Sequence, residues 1–133
     1  MKRLLIASNI LLIFVIVFTN QTSEVVVKYQ AKVEKPVWNT AFIKSYTLKY
    51  IVKKYPNWQF SEFIALEKLW QAESKWNPKA DNKSSSAYGI AQVLKTKHNT
   101  PAPQQVERGL AYIVHRYQLP SKAWQFHQIH NWY

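Results

Sequence analysis

The hydrophobic positions of this 133-residue chain fall into three regimes. From Leu4 to Phe18 they run almost unbroken, interrupted only by Ser8 and Asn9. From Gln21 to Trp38 they give no helical face: Val25, Val26, Val27 and Tyr29 alternate with charges, and Pro36 follows. After Asn39 they return at intervals of three and four, the period of a helix with one buried face. Phe42, Ile43, Tyr46, Tyr50 and Ile51 share such a face, which predicts a helix over 39–54, ended by Pro56. Leu66, Leu69, Trp70 and Glu73 share another. Its helix is predicted to run to about Ser74, with Ser61 as N-cap and Glu62 opposing the dipole in the first turn. Pro78 excludes any continuation, because the residue before a proline avoids the helical region.

Beyond Pro78 the pattern predicts a polar loop over 79–86, then a short helix or turn over 90–95. Thr100-Pro101-Ala102-Pro103 breaks the chain again. Val106, Leu110, Ile113 and Tyr117 predict a helix from Pro103 or Gln104 to about Gln118, and Ala123, Trp124 and Phe126 a last one from Ser121 to about His127. No strand pattern competes after Trp38. The expected fold class is mainly α, with four to six short helices behind an N-terminal hydrophobic helix.

The first regime reads as a targeting segment. Lys2 and Arg3 precede an apolar run at the upper limit for a signal-peptide core and slightly short for a membrane span. No small-x-small cleavage site follows, so the reading leans to an uncleaved signal anchor, with a cleaved signal peptide as the alternative. Lys2 and Arg3 argue for an inside N-terminus, against Lys28, Lys32 and Lys35 on the other side. The chain then divides into 1–20, signal anchor or signal peptide; 21–38, a stalk; and 39–133, one helical domain. The expected location is the cell envelope, membrane-anchored and facing outside, or secreted if the segment is cleaved.

Charge and composition narrow the partners. The net charge is +11, a field that favours polyanions such as nucleic acid, acidic lipid or anionic wall polymers. The lysines are spread rather than clustered, and a membrane-targeted chain rarely meets nucleic acid, so no nucleic-acid partner is expected. Cysteine is absent, which excludes disulfides and thiolate metal sites. His127 and His130 are three residues apart with no well-placed third ligand, so neither a metal nor another cofactor is expected. Only two glycines occur, Gly89 and Gly109, and each is predicted to lie where a side chain does not fit.

The candidate chemistry lies in the carboxylates. Past residue 38 there are only Glu62, Glu67, Glu73, Asp81 and Glu107. Glu73 shares its face with three apolar residues, so burial should raise its pKa, as a general acid near neutral pH requires. The competing reading is a helix-end carboxylate turned to solvent or paired with Lys75 or Lys79. A two-carboxylate glycosidase needs a second acid a few ångströms away. Asp81 is the only candidate, and its loop position reads better as a turn residue. A single-carboxylate mechanism fits better.

Glu73-Ser74, Trp76-Asn77-Pro78-Lys79-Ala80, the serines 84–86 and Ala87-Tyr88-Gly89-Ile90-Ala91-Gln92 together resemble the lysozyme-like domain of lytic transglycosylases and goose-type lysozymes, most closely the small transglycosylase-like proteins of Gram-positive bacteria and their phages. A later block is also similar, from Gly109-Leu110-Ala111-Tyr112-Ile113 through Arg116-Tyr117 and Ala123-Trp124 to Trp132-Tyr133. The likeness is strongest over 57–133. It departs at Ser86, where the family usually has glycine, and at Ser121, where cysteine is common. The resemblance implies a lysozyme-like helical domain that cleaves the bond between N-acetylmuramic acid and N-acetylglucosamine in peptidoglycan glycan strands. Glu73 would be acid and then base, leaving 1,6-anhydro ends. It further implies substrate-binding roles for Ser74, Tyr88, Gln92 and Tyr112, whereas packing alone offers Tyr112 a place in the core. Trp76, Tyr88 and Trp124 are candidates for stacking on sugars or for the core. The alternatives are a hydrolytic muramidase and a non-catalytic wall-binding module.

Overall fold

A computed structural model describes residues 36–133. The predicted targeting segment, and the stalk but for its last residues, lie outside them. Four helices and one short ribbon make up the described part: α1 (Thr40–Lys54), α2 (Phe60–Ser74), β1 (Ala87–Tyr88), β2 (Val93–Leu94), α3 (Ala102–Tyr117) and α4 (Pro120–His130). The domain is mainly helical, and among the described residues no helix is long and apolar enough to cross a membrane.

The helix starts differ in chemistry. Asn39 caps α1, its Oδ1 accepting from the Phe42 amide at 2.9 Å. Ser61 does not cap α2 as predicted; the helix begins one residue earlier, after Gln59, and no side chain caps it. Pro120 does more than end α3, because it occupies the first turn of α4, where a missing amide hydrogen costs nothing. Glu62 is in the first turn of α2 as expected. Its carboxylate also accepts from the backbone amide and hydroxyl of Ser121, at 2.8 and 2.9 Å, and so caps α4. The residue at the family's cysteine position thus has a structural task of its own. The last helix also runs three residues past the predicted His127.

The core lies among all four helices. Ile43 and Ile51 enter from α1, Phe63, Leu66, Leu69 and Trp70 from α2, Val106, Leu110 and Ile113 from α3, and Ala123 from α4. The stalk's predicted end belongs to this domain as well, since the Trp38 ring meets the edges of Phe42 and Tyr46 at 4.9 and 5.3 Å.

At the end of α2 the chain turns back through Lys75 and Trp76, both with positive φ (55° and 61°). The Lys75 amide donates to Gln71 O, and the Trp76 amide reaches Trp70 O at 3.3 Å, closing the last turn. Left-handed backbone costs a non-glycine residue about 1–2 kcal/mol. Full burial of a large apolar side chain contributes about 1.5–3 kcal/mol. The Trp76 indole is wholly buried, edge-on to Trp70 at 5.1 Å, and its Nε1 donates to Glu67 O. The strain at this turn is therefore offset by the ring that the turn folds inward. Trp76 belongs to the core and has no face to offer a sugar.

Of the short helix or turn expected after the loop the chain takes the turn, and the expectation of no strands is corrected. Ala87 and Tyr88 pair antiparallel with Leu94 and Val93, and residues 89–92 form the connection. The reversal needs Gly89 at φ +82°. A β-carbon there would sit 2.0 Å from Gln105 Oε1, which accepts the buried Ile90 amide at 2.9 Å. The Gln105 amide nitrogen donates to Pro78 O and Thr100 O. One buried glutamine thus holds three loop segments together. Gly109 on α3 is equally confined, its missing β-carbon falling 2.5 Å from Ala91 Cβ and 2.7 Å from Trp70 Cζ2.

Candidate functional site

Four elements bring side chains to one cleft of about 460 Å³, a size suited to a small ligand or a segment of a chain. Glu73 enters from the end of α2, Gln92 and Leu94 from the ribbon, Arg108, Tyr112 and Arg116 from α3, and Trp132 and Tyr133 from the C-terminus. Glu73 is the one carboxylate in its lining among the described residues.

Glu73 is held in a largely dry setting, because Leu66, Leu69 and Trp70 on its own helix are fully buried. Desolvation raises its carboxyl from an ordinary 4.5 to about 7. Its Oε1 lies 3.2 Å from His127 Nε2 on α4, and the two side chains are only 16 % and 14 % exposed. Burial lowers the His127 pKa, so both groups are pushed toward their neutral forms. Below about pH 7 the pair is a carboxylic acid beside an imidazole whose charged form burial disfavours, and the imidazole approaches one oxygen while Oε2 has no protein partner among the described residues. The other face of the His127 ring stacks on Trp124, with centroids 5.5 Å apart.

Gln92 adopts positive φ (48°), a strained setting for glutamine that its side chain helps to fix. Its Nε2 donates to Ala80 O at 3.2 Å and Gly89 O at 2.8 Å. With the nitrogen committed, the amide oxygen remains as the polar atom available in the cleft. The Tyr112 hydroxyl accepts from Arg116 Nη1 at 3.1 Å, and its ring meets Tyr133 edge-on. The Tyr133 hydroxyl donates to Ala91 O at 2.6 Å and accepts from Trp70 Nε1 at 3.1 Å, which pins the C-terminus to α2 and the ribbon loop. Burial pushes its phenol well above 10, so it remains protonated beside the acid.

Of the residues singled out in the sequence, Glu73, Gln92 and Tyr112 come together here. Ser74 and Tyr88 do not join them. The Ser74 hydroxyl donates to Ile90 O at 2.6 Å and ties the end of α2 to the ribbon loop, because α2 turns that position toward the loop and away from the cleft. The Tyr88 side chain is buried on the far side of the ribbon, stacked on His98 with centroids 4.5 Å apart, since β1 alternates its faces. Both residues position the Gln92 loop and neither lines the cleft.

Asp81 is not a second acid for this cleft. It pairs with His98 at 3.6 Å and bridges to Tyr88. Glu67 pairs with Lys44 and Glu107 accepts from Tyr46. Glu73 has neither Lys75 nor Lys79 as a partner. Its histidine neighbour was weighed in the sequence only as half of a metal motif. Among the described residues no three His, Cys, Asp or Glu side chains converge as a metal site needs. Arg108 is a further functional candidate that no motif contained, while Arg116 and Tyr133 stood in the later motif block without a role of their own. The i, i+4, i+8 spacing of Arg108, Tyr112 and Arg116 was the available signal for the helix wall.

Ser86, the family's glycine position, has no positive φ. Its carbonyl and hydroxyl oxygens accept from the Lys95 amide at 3.0 and 3.2 Å. The serine fastens the ribbon and leaves the loop that carries Gln92 where it is. Comparison of the chain with family models, curated proteins and solved structures found no match.

Proposed function

We propose that this domain is a lysozyme-like peptidoglycan lytic transglycosylase with Glu73 as its single acid and base. One observation carries the reading: a lone carboxyl, dry enough to keep its proton to about pH 7, faces a cleft with no second carboxylate among the described residues. The motif likeness around Glu73, Gln92 and Tyr112 points to the same chemistry.

In this mechanism Glu73 gives its proton to the oxygen linking N-acetylmuramic acid to N-acetylglucosamine, and the C1–O bond breaks. The carboxylate then takes the proton of the muramyl 6-hydroxyl as that oxygen bonds to C1. The product ends in 1,6-anhydro-muramic acid, the enzyme regains its proton, and no water is consumed. Gln92 Oε1 accepts from a sugar hydroxyl or amide, and the Tyr112 ring lies along the glycan. A hydrolytic muramidase is the second reading; the pairing of Asp81 with His98 rather than with the cleft disfavours its two-carboxylate form. The N-terminal apolar run would hold the domain at the outer face of the membrane.

Cell-wall zymography with the full chain and with Glu73→Gln tests the proposal. Wild type is expected to clear the gel, and the variant to lose roughly 10²–10⁴-fold, the usual contribution of a positioned acid or base. A variant that clears as well as wild type removes Glu73 from the chemistry. Mass spectrometry of the released fragments separates the outcomes, since anhydro ends are lighter than hydrolysed ends by one water.

A further inference from the structure

The wall opposite the ribbon is cationic, and it extends beyond the cleft. Arg108, Tyr112 and Arg116 stand at i, i+4 and i+8 on α3, so the two guanidinium-bearing positions are about 12 Å apart along one helix face. Arg108 also borders a second, shallower hollow, lined with it by Lys95 and Lys97. The two hollows therefore meet at Arg108. Among the described residues no side-chain carboxylate lines either of them except Glu73.

The two arginines of this wall are held in place. The Arg116 guanidinium lies 4.9 Å from the Trp132 ring centroid and within 6 Å of Phe126 and Tyr117, while its Nη1 donates to Tyr112. Arg108 Nη2 donates to Leu94 O at 3.1 Å, which fixes the guanidinium at the junction of the hollows. The Lys95 backbone, at φ 59°, is bonded through its amide to Ser86, which sets only where its side chain leaves the ribbon. Fixed guanidinium groups lose little freedom on meeting a carboxylate and match its two oxygens in a fork. A chain of neutral sugars makes no use of two arginines beside the acid and two lysines in the adjoining hollow.

We infer that Arg116, Arg108, Lys95 and Lys97 form a carboxylate-reading track on which the enzyme recognises the acidic substituents of its glycan, not the sugars alone. The inference rests on the proposed glycan substrate for the identity of the chain, and adds that the carboxylates along it carry the specificity. On a muramic acid-containing strand stripped of its stem peptides the free lactyl carboxylates recur once per disaccharide, a spacing comparable with the two arginine positions. A carboxylate seated on Arg108 lies where the two hollows meet, on the rim of the cleft that holds Glu73.

The test measures binding of full-length Glu73→Gln protein, which does not turn over its ligand, to two probes. One is glycan strands stripped of peptide but carrying their lactyl carboxylates; the other is the same strands with those carboxylates converted to neutral amides. The acidic strands are expected to bind at least roughly 10-fold more tightly at low salt, as one or two charge-assisted contacts require. Added Arg108→Gln or Lys97→Gln should bring that ratio toward one while leaving the amidated strands unaffected, and Arg108→Lys should restore part of it. Equal affinity for the two probes overturns the track, as does a variant that weakens both alike. Tighter binding of single-stranded DNA of the same length overturns the assignment to a glycan. Cleavage by wild type is scored separately. A protein that clears wall but shows a ratio of one loses the track and keeps the proposed activity; a protein that holds the ratio without cleaving keeps the track and loses the activity.

Discussion

Replacing Glu73 by glutamine tests the state of the acid without reference to catalysis. Folding moves the carboxyl from an ordinary 4.5 to about 7, because the folded chain takes it out of water. At about 1.4 kcal/mol per tenfold change in acidity this corresponds to about 3 kcal/mol, and the partial exposure of the group reduces it to about 2 kcal/mol. A raised pKa means that the folded chain holds the proton more tightly than the unfolded one. The Glu73 contribution is therefore whole below about pH 4.5 and is lost as pH rises through about 7. Glutamine has the shape of the protonated acid and never ionises. Full-length Glu73→Gln should match wild type at pH 4, gain on it steadily between pH 4.5 and 7, and exceed it by about 2 kcal/mol at pH 8.

For a domain of this size that difference is about 10 °C in Tm. The groups facing Glu73 are His127 from α4, Tyr112, Arg108 and Arg116 from α3, and Tyr133 at the C-terminus. Of these His127, whose pKa burial lowers, touches the carboxyl, so the same pair of curves is also measured in a His127→Gln background, where the difference reports the carboxyl alone. The assay is thermal or urea denaturation of both proteins at half-unit steps of pH. Parallel curves would refute the reasoning, because they would mean that the carboxyl is as well hydrated folded as unfolded. On the proposed mechanism the same titration would govern activity, and cleavage should fall as pH rises past about 7, as the acid loses its proton.

Gly109→Ala places a β-carbon against Ala91 and Trp70 and should destabilise the fold by about 1–3 kcal/mol; a wild-type urea midpoint would mean that the α3–ribbon contact yields without cost. Lys75→Gly relieves the left-handed backbone at the end of α2 and should stabilise by about 1 kcal/mol, read as a higher midpoint with an unchanged slope. An unchanged or lower midpoint would show that the turn is not strained there.

The helices were legible because each buries a stripe long enough to repeat. Ile43 and Ile51 on α1, and Leu66, Leu69 and Trp70 on α2, sit in the core where their spacing placed them. The ribbon was not legible, for two residues per strand leave no alternation to read, and it is held by Gly89 and Gln105 rather than by pattern. Burial of Glu73 followed from its helix face. Its neighbour did not: His127 lies 54 positions away on α4, and only packing of α4 against α2, fixed at the other end by Glu62 and Ser121, brings the two together. Ser74 and Tyr88 show the converse. Both lie beside cleft residues in sequence, and helix and strand geometry turn them away.

The consequence reaches the chemistry. A carboxyl that is dry only on its own helix face would be wetted from the opposite side, and its pKa would return toward 4.5. The imidazole of His127 and the Trp124 ring behind it close that side, while the cleft lined by Gln92 and Tyr112 opens the other. The acid is thus shielded by α4 and exposed only toward the cleft. Glu62, at the far end of the same helix pair, is therefore part of what sets the acidity of Glu73, by holding α4 in place: a lever acting through packing, with no contact of its own in the cleft.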